Sequence, residues 1–181
     1  MATLSIPLSK GKIALIDDQD ADLVMPFKWY SSLTKNTTYA IRGSSRVGGK
    51  QITILMHRVI LDAPPGMFVD HRDGDGLNNC RDNLRLCTRS QNEMNKRIQG
   101  GTSRFKGVCW HGKREKWEAR IGVNRKRTHL GYFTDETEAA MAYDVAAREL
   151  FDEFARLNGV GPDLWREIVA NRFGVRDGRA A

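Results

Sequence analysis

Along the first 56 residues the apolar side chains come in short runs, not at helical spacing. Lys12-Ile13-Ala14-Leu15-Ile16 is one such run, and the acidic cluster Asp17-Asp18-Gln19-Asp20 ends it. Tyr39 to Arg42 and Gln51 to Met56 are two more, rich in β-branched residues, and both are predicted as strands. Gly48-Gly49 between them is a hairpin signal. Ala21 to Trp29 reads as a short helix. A second short helix is expected over His57 to Leu61, stopped by Pro64-Pro65-Gly66. A short strand (Met67 to His71), a polar loop and another short strand (Asn83 to Cys87) follow. A helix is then expected from about Ser90, with Ser90 and Glu93 as a capping box. Gln99 to Ser103 closes this helix and serves as the linker.

Beyond the linker the pattern becomes clean alternation. Phe105 to Trp110 is a strand and His111-Gly112 a turn. In the next strand Trp117, Ala119, Ile121 and Val123 alternate with Lys116, Glu118, Arg120 and Gly122. Arg127 to Phe133 continues the theme, with Thr128, Leu130 and Tyr132 opposite Arg127 and His129. Three strands with one apolar face need a cover. The helix expected from Asp135 to Phe151 supplies it, with Ala139, Ala142, Tyr143, Ala146 and Leu150 on one face. Another short helix is expected from Asp163 to Arg172.

Charge sharpens this picture. The 181 residues carry a net +7, which favours an acidic partner such as nucleic acid. From Gly101 to Leu130 nine Lys or Arg stand against two acids; from Gly131 to Asn158 two Arg stand against seven acids. The basic residues therefore gather on the uncovered sheet face and the acidic ones on the helix behind it. The three cysteines, Cys80, Cys87 and Cys109, form no CxxC pair, so a reducing compartment is expected. No signal peptide and no membrane span are expected. These features point to the cytoplasm.

The candidate chemistry lies in Val69-Asp70-His71-Arg72-Asp73-Gly74-Asp75-Gly76-Leu77-Asn78-Asn79. Runs of Asp-Gly and Asn-Asn make Asx turns, which accounts for much of this polarity. An EF-hand calcium loop is excluded by spacing: counted from Asp73, the third ligand position falls on Leu77, and no glutamate closes the loop. Zinc would need closely spaced Cys or His. Phosphodiester cleavage needs a base, and the imidazole of His71 suits that task. Asp70, its neighbour on a strand, points to the other side; a local kink would let it meet a metal while His71 faces water. Asp70 and Asn92 are hard oxygen donors suited to Mg²⁺.

The spacing DH(x11)N(x8)N, as Asp70-His71, Asn83 and Asn92, resembles the HNH endonuclease signature of the ββα-metal fold. The surrounding Met56-His57-Arg58, Asn83-Leu84-Arg85 and Gln91-Asn92 with Asn95 agree. The likeness runs from about Lys10 to Ile98, and Lys28-Trp29-Tyr30 in the leader resembles phage and homing-type members. The resemblance implies His71 as general base, Asn83 as the residue orienting it, and Asp70 and Asn92 as ligands of one divalent ion, Mg²⁺ or another such as Mn²⁺. Asn92 stands where the family name has its last His. His57 is read as a structural histidine, and Lys96 and Arg97 as phosphate contacts or helix-end charges.

Phe105-Lys106-Gly107-Val108, Trp117-Glu118-Ala119-Arg120-Ile121, Leu130-Gly131-Tyr132-Phe133 and Ala139 to Asp144 resemble the apetala-two/ethylene-response-factor DNA-binding domain, from Ser103 to Asn158. The resemblance implies a sheet laid in the major groove of double-stranded DNA. Arg120 and Arg127 are the candidate base readers. Lys106, Arg114, Lys116 and Lys126 are candidates for phosphates, with Trp110 and His129 for sugars or bases. Cys109 stands where the plant domain has Arg, so site preference does not carry over.

The fold expected is α+β in five parts: a β-rich segment (1–56), a nuclease unit (57–99), a linker (100–103), a DNA-binding domain (104–158) and a helical tail (159–181). The function expected is a metal-dependent HNH DNA endonuclease of homing type, nicking or cutting both strands, acting as monomer or homodimer. The alternative is a sequence-specific DNA-binding regulator carrying an inactive HNH relic.

Overall fold

The structure, a computed structural model, describes residues 2–34, 37–46, 49, 51–96, 100–123 and 126–160. It has mixed α and β character with several small antiparallel sheets, as the α+β expectation has it. Two compact units are found, Met1–Asn95 and Lys96–Ala181. Gly48, Arg97 and the expected helix from Asp163 to Arg172 lie outside the described residues.

In the first unit β1 (Thr3–Pro7) pairs with β2 (Ile13–Asp17). The run Ile13 to Ile16 is apolar throughout, but only Ala14 and Ile16 enter the core, while Ile13 and Leu15 face out. β1 was not expected; its signal was the alternation of Leu4 and Ile6 with Thr3 and Ser5. The helix expected over Ala21 to Trp29 is confined to α1 (Ala21–Val24). Pro26 has no N–H to continue the ladder, and the chain turns back so that Trp29 Nε1 donates to Val24 O at 2.9 Å.

A three-stranded sheet follows, β3 (Tyr30–Leu33), β4 (Thr38–Gly43) and β5 (Thr53–Leu55), with β4 central. β3 was missed because its centre is Ser31-Ser32; Ser31 is held instead by hydrogen bonds to Ser9. α2 (Met56–Ile60) comes next, then the hairpin β6 (Phe68–His71) and β7 (Leu84–Cys87), then α3 (Arg89–Asn95). Ala14, Ile16, Trp29, Ala40, Met56, Ile60, Val69 and Leu84 form one core across these elements.

The cap of α3 differs from the expectation. Thr88 N donates to Gln91 Oε1 at 2.8 Å, and Gln91 N to Thr88 Oγ1 at 3.3 Å. This reciprocal capping box belongs to Thr88 and Gln91, not Ser90 and Glu93, because the helix begins directly after β7 ends.

In the second unit β8 (Val108–His111), β9 (Lys116–Val123) and β10 (Lys126–Phe133) form a sheet with β9 central, backed by α4 (Glu136–Phe151). Asp135 caps α4, accepting from the N–H groups of Thr137 and Glu138. The alternation expected in β9 holds: Ala119 and Ile121 are buried. In β10 it breaks. The register shifts between His129 and Gly131, so Tyr132 pairs with Glu118 and Phe133 with Trp117. This bulge turns Tyr132 to the outer face and buries Phe133, opposite to the expected order. On α4 the expected Leu150 is 52% exposed, while Ala147 and Phe151 are buried; the covered stripe passes through these two, not Leu150.

Asn158 closes this unit. Its Oδ1 accepts from Lys106 N at 2.7 Å, and its Nδ2 donates to Lys106 O and to Asp144 Oδ1. Burial pushes the Asp144 carboxyl above its ordinary range, despite these bonds. Gly107 lies against the Tyr143 ring with φ +78°, leaving no room for a β-carbon. Gly107→Ala is therefore expected to destabilise the protein by about 1–3 kcal/mol through overpacking and backbone strain. Urea denaturation checks this; an unchanged midpoint would contradict the packing described.

Candidate active site

The loop between β6 and β7 is built by short side-chain bonds and then pinned to the leader. Asp73 accepts from Asp75 N at 2.8 Å and from Asn78 Nδ2 at 2.8 Å, and Asp75 accepts from Leu77 N. These are the Asx turns expected of such a sequence. They hold the Asp73 carboxyl below its ordinary value, outweighing the opposing effect of burial. Leu15 on β2 bridges to Asn78: Leu15 N donates to Leu77 O at 2.8 Å and Asn79 N to Leu15 O at 2.7 Å. Arg81 fixes the far side. Its backbone N donates to Asp17, and its guanidinium grips Asp20 through Nε and Nη2 and also reaches Ile60 O. The acidic cluster that ended the first sequence run thus serves as a clasp. Gly76 passes so close to Thr38 O and the Tyr39 ring that no side chain fits.

His71 sits at the centre of this frame, buried, on the last residue of β6. Its ring lies 5.0 Å from His57, edge to face, and 5.8 Å from Tyr39. Tyr39 and His57 are 5.4 Å apart, so three rings close a small box. Asn79, fully buried, turns its Oδ1 to His71 Nε2 at 3.5 Å, because its Nδ2 donates to Leu77 O. That contact is long. An amide oxygen only accepts, so it assigns the ring proton to Nε2 and leaves the Nδ1 lone pair available. Burial lowers the His71 pKa; the Asn79 bond and the charges of Asp73, Asp70 and Asp75 work against that. His57 is pushed down to about 3, by burial first and then by His71 and Arg58.

Asp70 faces away from His71, and the strand carries no kink: Asp70 pairs with Arg85 and His71 with Leu84 in unbroken register. The Asp70 carboxylate is buried with Arg85. Arg85 Nε and Nη2 donate to Oδ2 at 2.8 and 2.7 Å, and Asn95 Nδ2 to Oδ1 and Oδ2 at 3.0 and 3.1 Å. Asn95 also donates to His71 O at 2.8 Å. Asn95, not Asn92, is the α3 asparagine joined to Asp70. Asn92 lies half-buried one turn earlier, and no hydrogen bond of its side chain is found among the described residues. Asn83 lies on the loop: its Oδ1 accepts from Asp73 N, and its Nδ2 donates to Asp73 and to Asn78 O. Its bonds are to the loop, whereas Asn79 touches the His71 ring. Asn79, Asn95 and Arg85 were not singled out for the site. Asn79 is four residues and Arg85 two residues from Asn83, Asn95 is three from Asn92, and nothing in the pattern distinguishes their side chains.

Asp70 and Asn92 are donors of the kind a hard divalent cation takes. Their chemistry fits such an ion, and Asp70 Oδ1, with one donor from Asn95, keeps an acceptor position open beside the Oδ2 held by Arg85. Among the described residues, no three His, Cys, Asp or Glu side chains are placed to hold a metal ion.

In the second unit, β9 and β10 register places Arg120 beside His129 and Gly122 beside Arg127. With Lys116, these share the outer face with His111 and Tyr132. Glu118 joins His129 at 3.1 Å and approaches Arg120 at 3.9 Å. Arg120 Nη2 donates to Cys109 Sγ at 2.8 Å, and Arg114 lies over the Tyr132 ring at 4.7 Å. Trp110 pairs with Trp117 and Lys126 with Val123, which puts both on the other face, at strand ends. Lys106 is on the turn before β8, and Lys96 is exposed after α3.

The model of the HNH endonuclease family matches residues 62–94, which span β6, the polar loop, β7 and most of α3. The chain is 31% identical over 153 residues to a protein of Acanthamoeba polyphaga mimivirus described as an uncharacterised HNH endonuclease, covering 83% of this chain and 77% of that one. It is 36% identical over 94 residues to Protein 3.8 of Escherichia phage T7, 51% of this chain and 77% of that one. The chain belongs to the HNH endonuclease family. It is also 47% identical over 78 residues to an AP2-like ethylene-responsive transcription factor of Arabidopsis thaliana, 42% of this chain and 12% of that protein. No solved structure matches. No helix among the described residues is long and apolar enough to cross a membrane.

The ring box makes stability depend on pH. The folded His57 refuses a proton that the unfolded chain accepts between pH 6.5 and about 3. Stability is thus greatest above 6.5 and falls as pH drops towards 3, by up to about 1.4 kcal/mol per pH unit for this residue. His71 adds in the same direction. His57→Phe is expected to flatten the acid side of a urea-midpoint series; the same slope in wild type and variant would contradict this.

Proposed function

We propose that this chain is a divalent-metal-dependent DNA endonuclease of homing type. Its β6–β7–α3 segment acts as a ββα-metal unit, and its C-terminal sheet targets it to double-stranded DNA. The observation that carries the reading is the buried His71 ring, its pKa lowered by burial and its Nε2 facing Asn79 Oδ1, an arrangement that favours the tautomer with Nδ1 open to accept a proton. Nδ1 takes a proton from water. The resulting hydroxide attacks phosphorus, the bond to the 3′ oxygen breaks, that oxygen takes a proton from solvent water, and a 5′-phosphate and a 3′-hydroxyl are left. A divalent ion, Mg²⁺ or Mn²⁺, when held by Asp70 and Asn92, supplies electrostatic stabilisation of charge at the leaving oxygen. Asn83 keeps the loop, and so Asn79, in position.

On the sheet, Arg120 and Arg127 read base edges, since a guanidinium matches guanine bidentately. Lys106, Arg114 and Lys116 contact phosphates, and His129 holds Glu118 beside Arg120. Trp110, Lys126, Lys96 and Arg97 contribute to the DNA backbone only. One site per chain makes one nick per event; cutting both strands needs a second chain or a second event.

Supercoiled plasmid, with and without Mg²⁺, tests the reading. Wild type is expected to nick it only with the metal. His71→Ala is expected to lose about 10²-fold or more in rate while mobility-shift binding persists. Undiminished nicking by this variant would falsify the assignment. Binding without metal-dependent nicking by wild type would select the regulator with an inactive relic. Arg127→Ala is expected to weaken DNA binding by about 1–3 kcal/mol, measured by fluorescence anisotropy; no loss of affinity would remove Arg127 from the interface.

A further inference from the structure

The carboxylate assigned to the metal is already neutralised in the structure. Asp70 and Arg85 stand directly opposite each other on β6 and β7, and their side chains are each 7% exposed. Asp70 Oδ2 takes three donors: Arg85 Nε, Arg85 Nη2 and Asn95 Nδ2. Oδ1 takes one, Asn95 Nδ2. A carboxylate has about four acceptor positions in all, and the oxygen facing Arg85 is saturated. The pair is also enclosed, so its field is weakly screened. A divalent ion placed beside Asp70 would share a small, poorly hydrated space with a guanidinium that does not titrate.

We propose that Arg85 is the resident counter-ion of the Asp70 carboxylate, and that a divalent cation bound through Oδ1, which keeps an acceptor position open, competes with it for this carboxylate. Arg85 is thus a positioning residue: it matches the charge of the buried carboxylate and sets the occupancy of the metal site. Asn95 serves the exchange differently. It bonds both Asp70 oxygens and the His71 carbonyl at once, so it keeps the carboxylate in place whichever cation is present. The inference rests on Asp70 being a metal ligand, and its test separates the two.

The full-length protein is titrated with Mn²⁺ without DNA, and free Mn²⁺ is followed by electron paramagnetic resonance. Arg85→Gln is expected to bind Mn²⁺ about tenfold or more tightly than wild type, since no guanidinium then competes for the carboxylate. Its melting temperature is expected to rise with Mn²⁺ more than that of wild type. Asp70→Asn is expected to lose the site. Unchanged affinity in Arg85→Gln, with Asp70→Asn inactive in binding, would overturn the exchange alone. Wild-type affinity in Asp70→Asn would overturn the ligand assignment itself. Should Arg85→Gln fail to fold, wild type still decides: the Arg85 Nε–H resonance is expected to shift during a Mg²⁺ titration, tracking occupancy. A resonance unmoved at saturation overturns the proposal.

Discussion

A carboxylate taken out of water has to be matched where it stands, and much of the first unit is arranged around one that is. Asp70 lies on a strand of the β6–β7 hairpin, its matching guanidinium on the other, and its amide partner on α3. Removing one member would leave an uncompensated buried charge, costing about 3–5 kcal/mol. Hairpin and helix are therefore held in one register, not merely packed. Because Asn95 also binds the His71 carbonyl, the constraint that satisfies the charge also fixes the backbone of the residue proposed to do the chemistry.

His71 is governed on its other side by enclosure. The Tyr39 and His57 rings pack beside it, and Asn79 Oδ1 faces its Nε2. The two neighbours Asp70 and His71 thus live in different surroundings, one saturated with donors and one walled by rings. Period-two alternation of a strand separates them with no special device.

Much of this was legible in the sequence and some was not. Strand alternation located β9 and the buried Ala119 and Ile121, because a one-sided sheet writes its burial directly into every second residue. It failed at Tyr132, where a bulge reversed the faces; Gly131 was visible, but a bulge is decided by pairing with β9, which is non-local. Leu150 failed for a related reason, since the stripe a helix buries depends on the angle at which it crosses its sheet. In the site, spacing located Asp70, His71, Asn83 and Asn92 as a set. It could not tell Asn79 from Asn78, or Asn95 from Asn92, as acting on a neighbour. Identical amides differ only in where the folded backbone aims them. His57, read as a structural histidine, is indeed buried, yet its ring is a wall of the His71 box.

The leader strand has a bearing on how such proteins are cut and joined. Leu15 is bonded on both sides to the polar loop, and Asp17 and Asp20 clasp Arg81. A minimal cassette begun at His57 would discard these partners while retaining every motif residue. The fragment would keep its signature yet lose the scaffold that holds Asn79 against the imidazole. For shuffling or grafting, the natural seam lies after Asn95, and the portable part is the whole of what precedes it.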